Sequence, residues 1–531
     1  MINSTDFQHT PIKRIAILGG GMTGWTVAAA LANGLRGMGI DIVLIDNAQQ
    51  TETDLHCEAT MPACVAFHQW LGVTEKELVA RTGASFLLAT QFNAWADQQQ
   101  QYFMPFGDHG FMLNRIEFPQ YVIGRYLQGK PVNYDDYSLA AVAAKAGRFC
   151  HPSAQDTSLF STLSYGLTLN TFAYFNYLRE RAVQSGVAHV IAEASTLKLN
   201  SDGYIESITL NHIHGALANT PVASQWIGSD GLVAADFYID CTGAQGNVIG
   251  KALHVEWQSL SGQLPVTHVI NHVQPISQAQ SIPSRRELLT GAAGWIQNLS
   301  SQTHTEQQYF YHSSFTSAEQ ARNVIGAAES AQAKPICIGR REKFWHKNCV
   351  AIGESAGNLD VQGAGKLHLV QSAILRFISL FPARMAADFN AAEYNRLTNL
   401  EYDHIEDFHS LHYQLAATQD TAYWQQLARV TLSDRLLHKL DLFKKRGLVA
   451  FYEGETFSSG VWTSLLLGNG FWPQRYDPLI HSTDAQWIEL QLEKMEKMMR
   501  SAAEAMPTQS AYLYKQKLTA EIDIRSAANS N

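Results

Sequence analysis

The chain has 531 residues, of which 46% are apolar and 16% charged, and a formal net charge of −9. This acidic balance, with no basic cluster, argues against a nucleic-acid surface. No run of about 18 uninterrupted apolar residues is present to span a membrane.

At ~150 residues per domain the length suggests about two to four sub-domains. The first ten residues are polar and lack the apolar core of a secretory signal. Six cysteines are scattered without C-x-x-C pairs, which reads as reduced thiols in a cytoplasmic protein.

Residues 13–18 (Lys-Arg-Ile-Ala-Ile-Leu) form a short β-branched run typical of a buried parallel strand. Gly19-Gly20-Gly21-Met22-Thr23-Gly24 follows at once, so Gly19, Gly21 and Gly24 fill a G-x-G-x-x-G. An Ala-rich helix is predicted over 25–35, then a strand over 41–46 ending on Asp46, 22 residues after Gly24. Gly19 permits a tight turn, Gly21 lets a pyrophosphate approach the backbone, and Gly24 lets helix and strand pack closely. The helix N-terminus offers unpaired N–H groups to phosphates, and Asp46 can take ribose hydroxyls. This is a dinucleotide site, for FAD or NAD.

Cys57-Glu58-Ala59-Thr60-Met61-Pro62 leads into a helix ending near Leu71-Gly72. Strands are predicted over 85–95 and 102–106, joined across a polar, solvated tip at 97–101. A helix over 171–185 precedes strands at 187–192, 196–200 and 204–210. The run 235–240 then enters Asp240-Cys241-Thr242-Gly243, a second turn at the edge of the nucleotide sheet. Cys349-Val-Ala-Ile-Gly353-Glu354 repeats the design of apolar strand, glycine and acid. Gly363-Ala364-Gly365 introduces a helix over 366–381. Such a helix can aim its N-terminus at the flavin edge where negative charge collects on reduction. NAD enzymes have no use for this third site, which favours FAD. Lys366 could add positive charge there or bind an anion, or stand as a solvated lysine.

Beyond about residue 385 the pattern is helical, with amphipathic helices predicted over 401–417, 420–445 and 484–499. Glu401-x-x-His404 and Glu406-x-x-His409 match the E-x-x-H of di-iron bundles. Their five-residue offset on one helix turns them about 140° apart, whereas such bundles join the pairs from facing helices. Imidazoles on a solvated helix face are expected.

Together these motifs resemble those of the flavin-dependent tryptophan halogenases, from Arg14 to about Leu479. Gly-Gly-Gly-Met-Thr-Gly-Trp (19–25) is similar to the family's G-G-G-x-x-G-W, and Glu-Ala-Thr-Met-Pro (58–62) to its E-A-T-x-P. Phe92, Trp95, Tyr102 and Phe106-Gly107 resemble the next block. Later ones are Gly294-Trp295-Ile296, Gly339-Arg340-Arg341, Phe344-Trp345, Lys347-Asn348-Cys349, His368-Leu-Val-Gln371, Leu467-Gly468-x-Gly470 and Tyr476-Asp477-Pro478. The resemblance implies a Rossmann-like, α/β FAD-binding flavin monooxygenase fold, with a mixed substrate region and a C-terminal all-α region. FAD would be bound by residues 11–60, 165–255 and 335–384, substrate by 61–164 and 256–334, and the helical region would cover 385–531. It also implies FAD used as FADH2, a reduced-flavin and oxygen intermediate, and a separate flavin reductase. Halide is oxidised to hypohalous acid, which a lysine and a glutamate deliver to an indole ring.

The chain departs from that pattern at both relay positions. Leu87 stands where the resemblance places the lysine, and Gly363 where it places the glutamate. Ala364-Gly365 replaces a Ser-Thr, Gln297 breaks W-x-W-x-I-P after Trp295, and Met104 stands where a histidine is common. Loss of one positioned polar group can cost roughly 3–4 kcal/mol of transition-state stabilisation. The relay is therefore not expected to work. The expected enzyme is an FAD-dependent oxidoreductase on an aromatic, indole-like substrate, with a direct-transfer hydroxylase or a non-catalytic flavin binder as alternatives.

The cofactor-binding residues expected are Gly19, Gly21, Met22, Thr23, Gly24, Asp46, Ala59, Gly353, Glu354, Gly365, Lys366 and Leu367. Phe106, Trp295, Tyr452 and Trp462, with Tyr102 and Phe103, are the aromatic candidates for stacking on substrate. The sequence leaves open a homodimer, and whether chloride or bromide is used.

Overall fold

The computed structural model describes residues 11–47, 56–95, 100–155, 157–212, 225–228, 231–277, 280–359, 365–382, 384, 388–416, 420–427 and 429–517. Gly363, Ala364 and the hairpin-tip residues 97–99 lie outside the described residues. A six-stranded sheet forms the nucleotide half, in the order Trp345–His346, Cys349–Ala351, Phe237–Asp240, Arg14–Leu18, Asp41–Asp46, Ala188–Ile191. Its last five strands are parallel, and the first closes a short antiparallel hairpin. Ile15, Ala16, Ile17 and Leu18 are all buried, the unbroken apolar run of a strand covered on both faces. The Asp240 turn therefore leaves an interior strand, not one at the margin of the sheet.

Helix Met22–Gly34 begins three residues earlier than its Ala-rich core suggests, directly from the glycine turn. It packs between the sheet and helix Thr171–Gln184. A seven-stranded sheet forms the other half. Its order is Lys334–Pro335, His268–Pro275, His304–Tyr311, Gly294–Ser300, Arg285–Gly291, Ala89–Asn93, Gln101–Pro105. A three-stranded sheet of Cys57–Ala59, Gly166–Asn170 and Ser85–Leu87 lies between them. The strand expected over 85–95 is thus two strands in two sheets. At the break, Leu88 N–H donates to Ser284 O at 2.8 Å, which ends the pairing of Ser85–Leu87 and starts that of Ala89–Asn93.

The C-terminal part is helical. Its long member, Asp388–Ala416, has 29 residues. The helix expected over 420–445 is instead two, Ala422–Leu427 and Asp434–Arg446. The second starts where Ser433 Oγ accepts from Leu436 N–H at 3.0 Å, a cap that fixes the boundary. The solvated imidazoles are also corrected. His404 and His409 are 3% and 0% exposed, because both faces of the long helix are covered. Among the described residues no group of three or more His, Cys, Asp and Glu could hold a metal.

Asp240, fully buried, anchors the nucleotide half. Its carboxylate accepts from Thr242 N–H (2.9 Å), Thr242 Oγ1 (2.7 Å), Val248 N–H (2.9 Å) and Ile249 N–H (2.8 Å). Asp240→Asn replaces one acceptor by an N–H donor facing backbone N–H groups. Hydrogen bonds to a charged group contribute ~1.5–3 kcal/mol each. The variant is expected to lose at least ~2 kcal/mol, read as a lower urea midpoint.

Candidate functional site

One cavity of about 1300 Å³ opens where the carboxyl ends of the nucleotide strands face the seven-stranded sheet. The glycine turn forms its floor. Gly19 has φ +107°, and a Cβ there would lie 2.3 Å from Cys241 O. A Cβ on Gly24 would lie 1.8 Å from Gly19 O, and one on Gly20 would lie 1.9 Å from Asp46 Oδ2. Backbone is thus packed on backbone where a side chain has no room, which brings the turn up to the cavity. Gly21 is the N-cap residue of helix Met22–Gly34 and supplies no side-chain cap. Asp46 lies beside the turn, its Oδ2 3.1 Å from His189 Nε2.

The adjoining wall is built by Gly353, Glu354, Gly365 and Lys366. Gly353 has φ +76°, and a Cβ there would meet Thr23 at 2.8 Å; a Cβ on Gly365 would lie 2.2 Å from Ala59 O. Lys366 is a partly exposed lysine in an ion pair: its Nζ lies 2.5 Å from Glu354 Oε1. Lys366 holds the Glu354 carboxyl below its ordinary range. Burial opposes the Lys366 charge, but Glu354 more than offsets it and its pKa is raised. Glu58 completes the group. Its Oε1 accepts from Leu367 N–H at 3.4 Å, capping helix Lys366–Ser379 from another strand. Burial raises the Glu58 pKa against the pull of Lys366.

Gly19, Gly21, Met22, Thr23, Asp46, Ala59, Gly353, Glu354, Gly365 and Lys366 all line this cavity. Gly24 and Leu367 are buried behind it. The aromatic candidates lie elsewhere. Trp295 is buried, stacks on Phe310 at 4.2 Å and donates from Nε1 to Tyr413 Oη at 3.0 Å. Trp462 is buried beneath Lys439 Nζ, 4.4 Å from its ring. Half-buried Tyr452 pairs through its hydroxyl with His438 Nδ1 at 2.6 Å. Phe106 packs against Cys57, Ala59, Leu87 and Leu299. Tyr102 stacks on Phe92 at 4.8 Å, and Phe103 is buried.

The far wall consists of residues that are not among the site residues expected, Gln297 being noted only as a departure from W-x-W-x-I-P. Asn271, Arg286, Gln297, Gln308 and Phe310 of the seven-stranded sheet line the cavity. Arg286 donates to Thr90 Oγ1 from Nε (3.2 Å) and Nη2 (3.0 Å), and from Nη1 to Gln297 Oε1 (3.4 Å). Gln297 Nε2 donates to Gln308 Oε1 at 2.7 Å, and Gln308 Nε2 to Glu306 Oε1 at 3.0 Å. Cys57 N–H donates to the other oxygen of Glu306. Burial pushes the Glu306 pKa up to about 8. The available signal was polar residues at core-facing positions of otherwise apolar strands, where alternation calls for apolar ones.

Residues 14–485 match the family model described as "Tryptophan halogenase". Tryptophan 6-halogenase SttH from Streptomyces toxytricini is 25% identical over 539 residues, covering 94% of this chain and 97% of that protein. Among solved structures, BrvH, a flavin-dependent halogenase from Brevundimonas sp. BAL3, superposes with a TM-score of 0.88 at 26% identity. It covers 95% of this chain and 99% of that one. Xcc4156, a flavin-dependent halogenase from Xanthomonas campestris, gives 0.87 at 26% identity, covering 96% and 99%.

Glu306 links the cavity wall to pH. A carboxyl raised from 4.5 to about 8 binds its proton more tightly in the folded state. Its contribution to stability is complete below about 4.5 and is lost as pH rises towards about 8. Glu306→Gln, neutral throughout, removes that dependence. Its melting temperature relative to wild type is expected to rise steadily between about pH 5 and about pH 8.

Proposed function

The chain belongs to the tryptophan halogenase family, and from that premise we propose that it is an FAD-dependent oxidoreductase acting on an aromatic, indole-like substrate without the family's lysine relay. A separate flavin reductase would supply the reduced cofactor. The cavity favours a dinucleotide, because its floor is a glycine turn packed on Cys241, Asp46 and its own backbone, where a Cβ at Gly19, Gly20 or Gly24 has no room, at the start of a helix. Gly19, Gly21, Met22, Thr23 and Gly24 would hold the pyrophosphate, with helix Met22–Gly34 directing unpaired N–H groups at it. Asp46 would take the ribose. Ala59, Gly353, Glu354, Gly365, Lys366 and Leu367 would serve the flavin end, where Lys366, held cationic by Glu354, is available to a developing anion. When bound, FAD supplies two-electron chemistry with oxygen.

The observation that carries the reading on the relay is the surroundings of Leu87. It is 2% exposed and packs with Cys57, Ala59 and Leu299, with Phe106 against them. Leucine has no lone pair with which to take up electrophilic halogen, and its pocket is apolar.

A second reading, direct oxygen transfer to substrate, is favoured by the polar wall. The cavity continues from the glycine turns to Arg286, Gln297 and Gln308, so a substrate there would share one chamber with the flavin. In that reaction the reduced flavin supplies two electrons. One oxygen atom enters an aromatic C–H bond, and the other leaves as water with two protons.

Two measurements test these readings. Gly21→Val places a side chain where the pyrophosphate approaches the backbone. FAD affinity should fall tenfold or more, ~1.4 kcal/mol; equal affinities would put the cofactor elsewhere. In a coupled reaction with flavin reductase, NADH, FAD and chloride, mass spectrometry should find no steady turnover of tryptophan to chlorotryptophan. Repeated turnovers would overturn the reading of Leu87.

A further inference from the structure

Trp295 lies on the same strand face as Gln297 of the cavity wall, two residues along. It stacks on Phe310, which lines that wall, at 4.2 Å and 15°. From there a run of oxidisable rings leads outward. Trp295 Nε1 donates to Tyr413 Oη at 3.0 Å. The Tyr413 ring lies 6.0 Å from that of Trp424, and Trp424 lies 5.0 Å from Tyr423. Tyr423 in turn faces Phe315, 5.6 Å away and 38% exposed, and His312 at 6.4 Å. Trp95 joins the run at Trp424, 6.1 Å away, and is itself buried. Packing alone does not call for this composition. Leucine or phenylalanine would fill the same core with no polar atom to satisfy. The indoles need partners there, and Trp424 Nε1 takes Gly291 O at 2.8 Å. What indole and phenol add is an electron that a strong oxidant can remove, and ring-to-ring contact lets the vacancy move on.

We propose that Trp295, Tyr413, Trp424 and Tyr423 form an electron-transfer chain through which light-excited, oxidised FAD in the chamber draws electrons from a thiol at the surface. The proposal rests on the FAD reading above and adds an activity to it. Flavins exchange electrons singly as well as in pairs, and absorbed light makes the oxidised form a strong enough oxidant for an indole. Trp295 gives up one electron towards the chamber. Phe310 holds its own electrons too firmly to carry the vacancy and serves as the stacked contact between the two. Trp424 refills Trp295 through Tyr413, whose phenol bridges the indoles. Tyr423 refills Trp424 and loses its hydroxyl proton to solvent at the Phe315 edge. A thiol then returns one electron and one proton to Tyr423, so the chain ends unchanged. Two passages join two thiols in one disulfide, and the two electrons and two protons released convert FAD to FADH2.

The test is blue illumination, without oxygen, of the protein loaded with oxidised FAD, using reduced glutathione as the thiol. One readout is bleaching of the flavin's visible absorption. The other is electron paramagnetic resonance of samples frozen under light with the thiol left out. Wild type should bleach with thiol and show a tyrosyl radical without it. Trp295→Phe and Trp424→Phe should each slow bleaching at least tenfold and remove the tyrosyl signal, and Tyr423→Phe should remove that signal too. Trp226→Phe should match wild type, since Trp226 lies 4.0 Å from the guanidinium of Arg14, at the amino end of its strand and away from the chamber. Trp295 and Trp424 are fully buried, so their variants can fail to fold; Tyr423→Phe, which removes only a hydroxyl, then decides. Wild-type bleaching in folded Trp424→Phe, a wild-type signal in Tyr423→Phe, or no protein radical in wild type would each overturn the chain and leave the FAD reading intact. Failure of wild type to bind FAD would overturn both.

Discussion

The cavity depends on one shared cation. Lys366 lies 2.5 Å from Glu354 and within electrostatic reach of Glu58, and these residues come from a helix start, a strand-end turn and a separate three-stranded sheet. The three elements are thereby held at fixed positions around the chamber. Glu58, whose pKa burial raises, has Arg286 as well as Lys366 within electrostatic reach. The first turn of helix Lys366–Ser379 meets it, with Leu367 N–H donating to Glu58 and the positive end of the helix adding to the effect. That end is thus already occupied by a carboxylate. At this end of the cavity the Lys366 ammonium is a positive group on the wall, which the sequence alone could not separate from a solvated surface lysine.

How much was legible follows from how local each signal is. The glycine turn, Asp46 and the Gly353-Glu354 turn are contiguous motifs whose geometry lies within a few residues, and all reach one cavity. Helix Asp388–Ala416 was legible as a helix from residue 401 onward, but not over its first half and not as a buried one. Its histidines are covered by elements distant in sequence: Phe92 stacks on His412 at 5.0 Å, and the Tyr452 ring lies 6.2 Å from His404. The break at Leu88 was invisible for the same reason, since it is made by a bond to Ser284. Glu58 stood in the quoted Glu-Ala-Thr-Met-Pro, yet its capping role depends on a helix that begins 308 positions later. Residue periodicity shows which face of a strand is buried but not what it is buried against.

The polar wall shows how a sheet can afford such residues. Gln297 and Gln308 each accept from one neighbour and donate to the next, so both leave the water with these groups paired. The chain ends on Glu306, whose second oxygen takes the Cys57 backbone N–H. Cys57 begins the strand that also carries Glu58 and Ala59. The seven-stranded sheet and the flavin-end strand are therefore joined by polar contacts, beside the apolar cluster of Cys57, Ala59, Leu87 and Leu299. The two kinds of packing adjoin, and the boundary between them passes next to Leu87.

This arrangement bears on whether another residue has taken over from the missing lysine. A relay that carries electrophilic halogen needs a nitrogen lone pair in reach of the oxidant. Arg286 cannot provide one, because its guanidinium stays protonated and its nitrogens only donate. Lys366 is held in its charged form by Glu354, which ties up the same electron pair. Lys251, also on the cavity wall, donates to Gln245 Oε1 at 2.6 Å. Buried Lys439 donates to Ala450 O at 2.6 Å and to Glu455, and it lies among helices outside the chamber. These cations are arranged to attract and orient negative charge. Among these four, none presents a nitrogen lone pair to the chamber: Arg286 and Lys366 are held charged, Lys251 is bonded to Gln245, and Lys439 lies outside it.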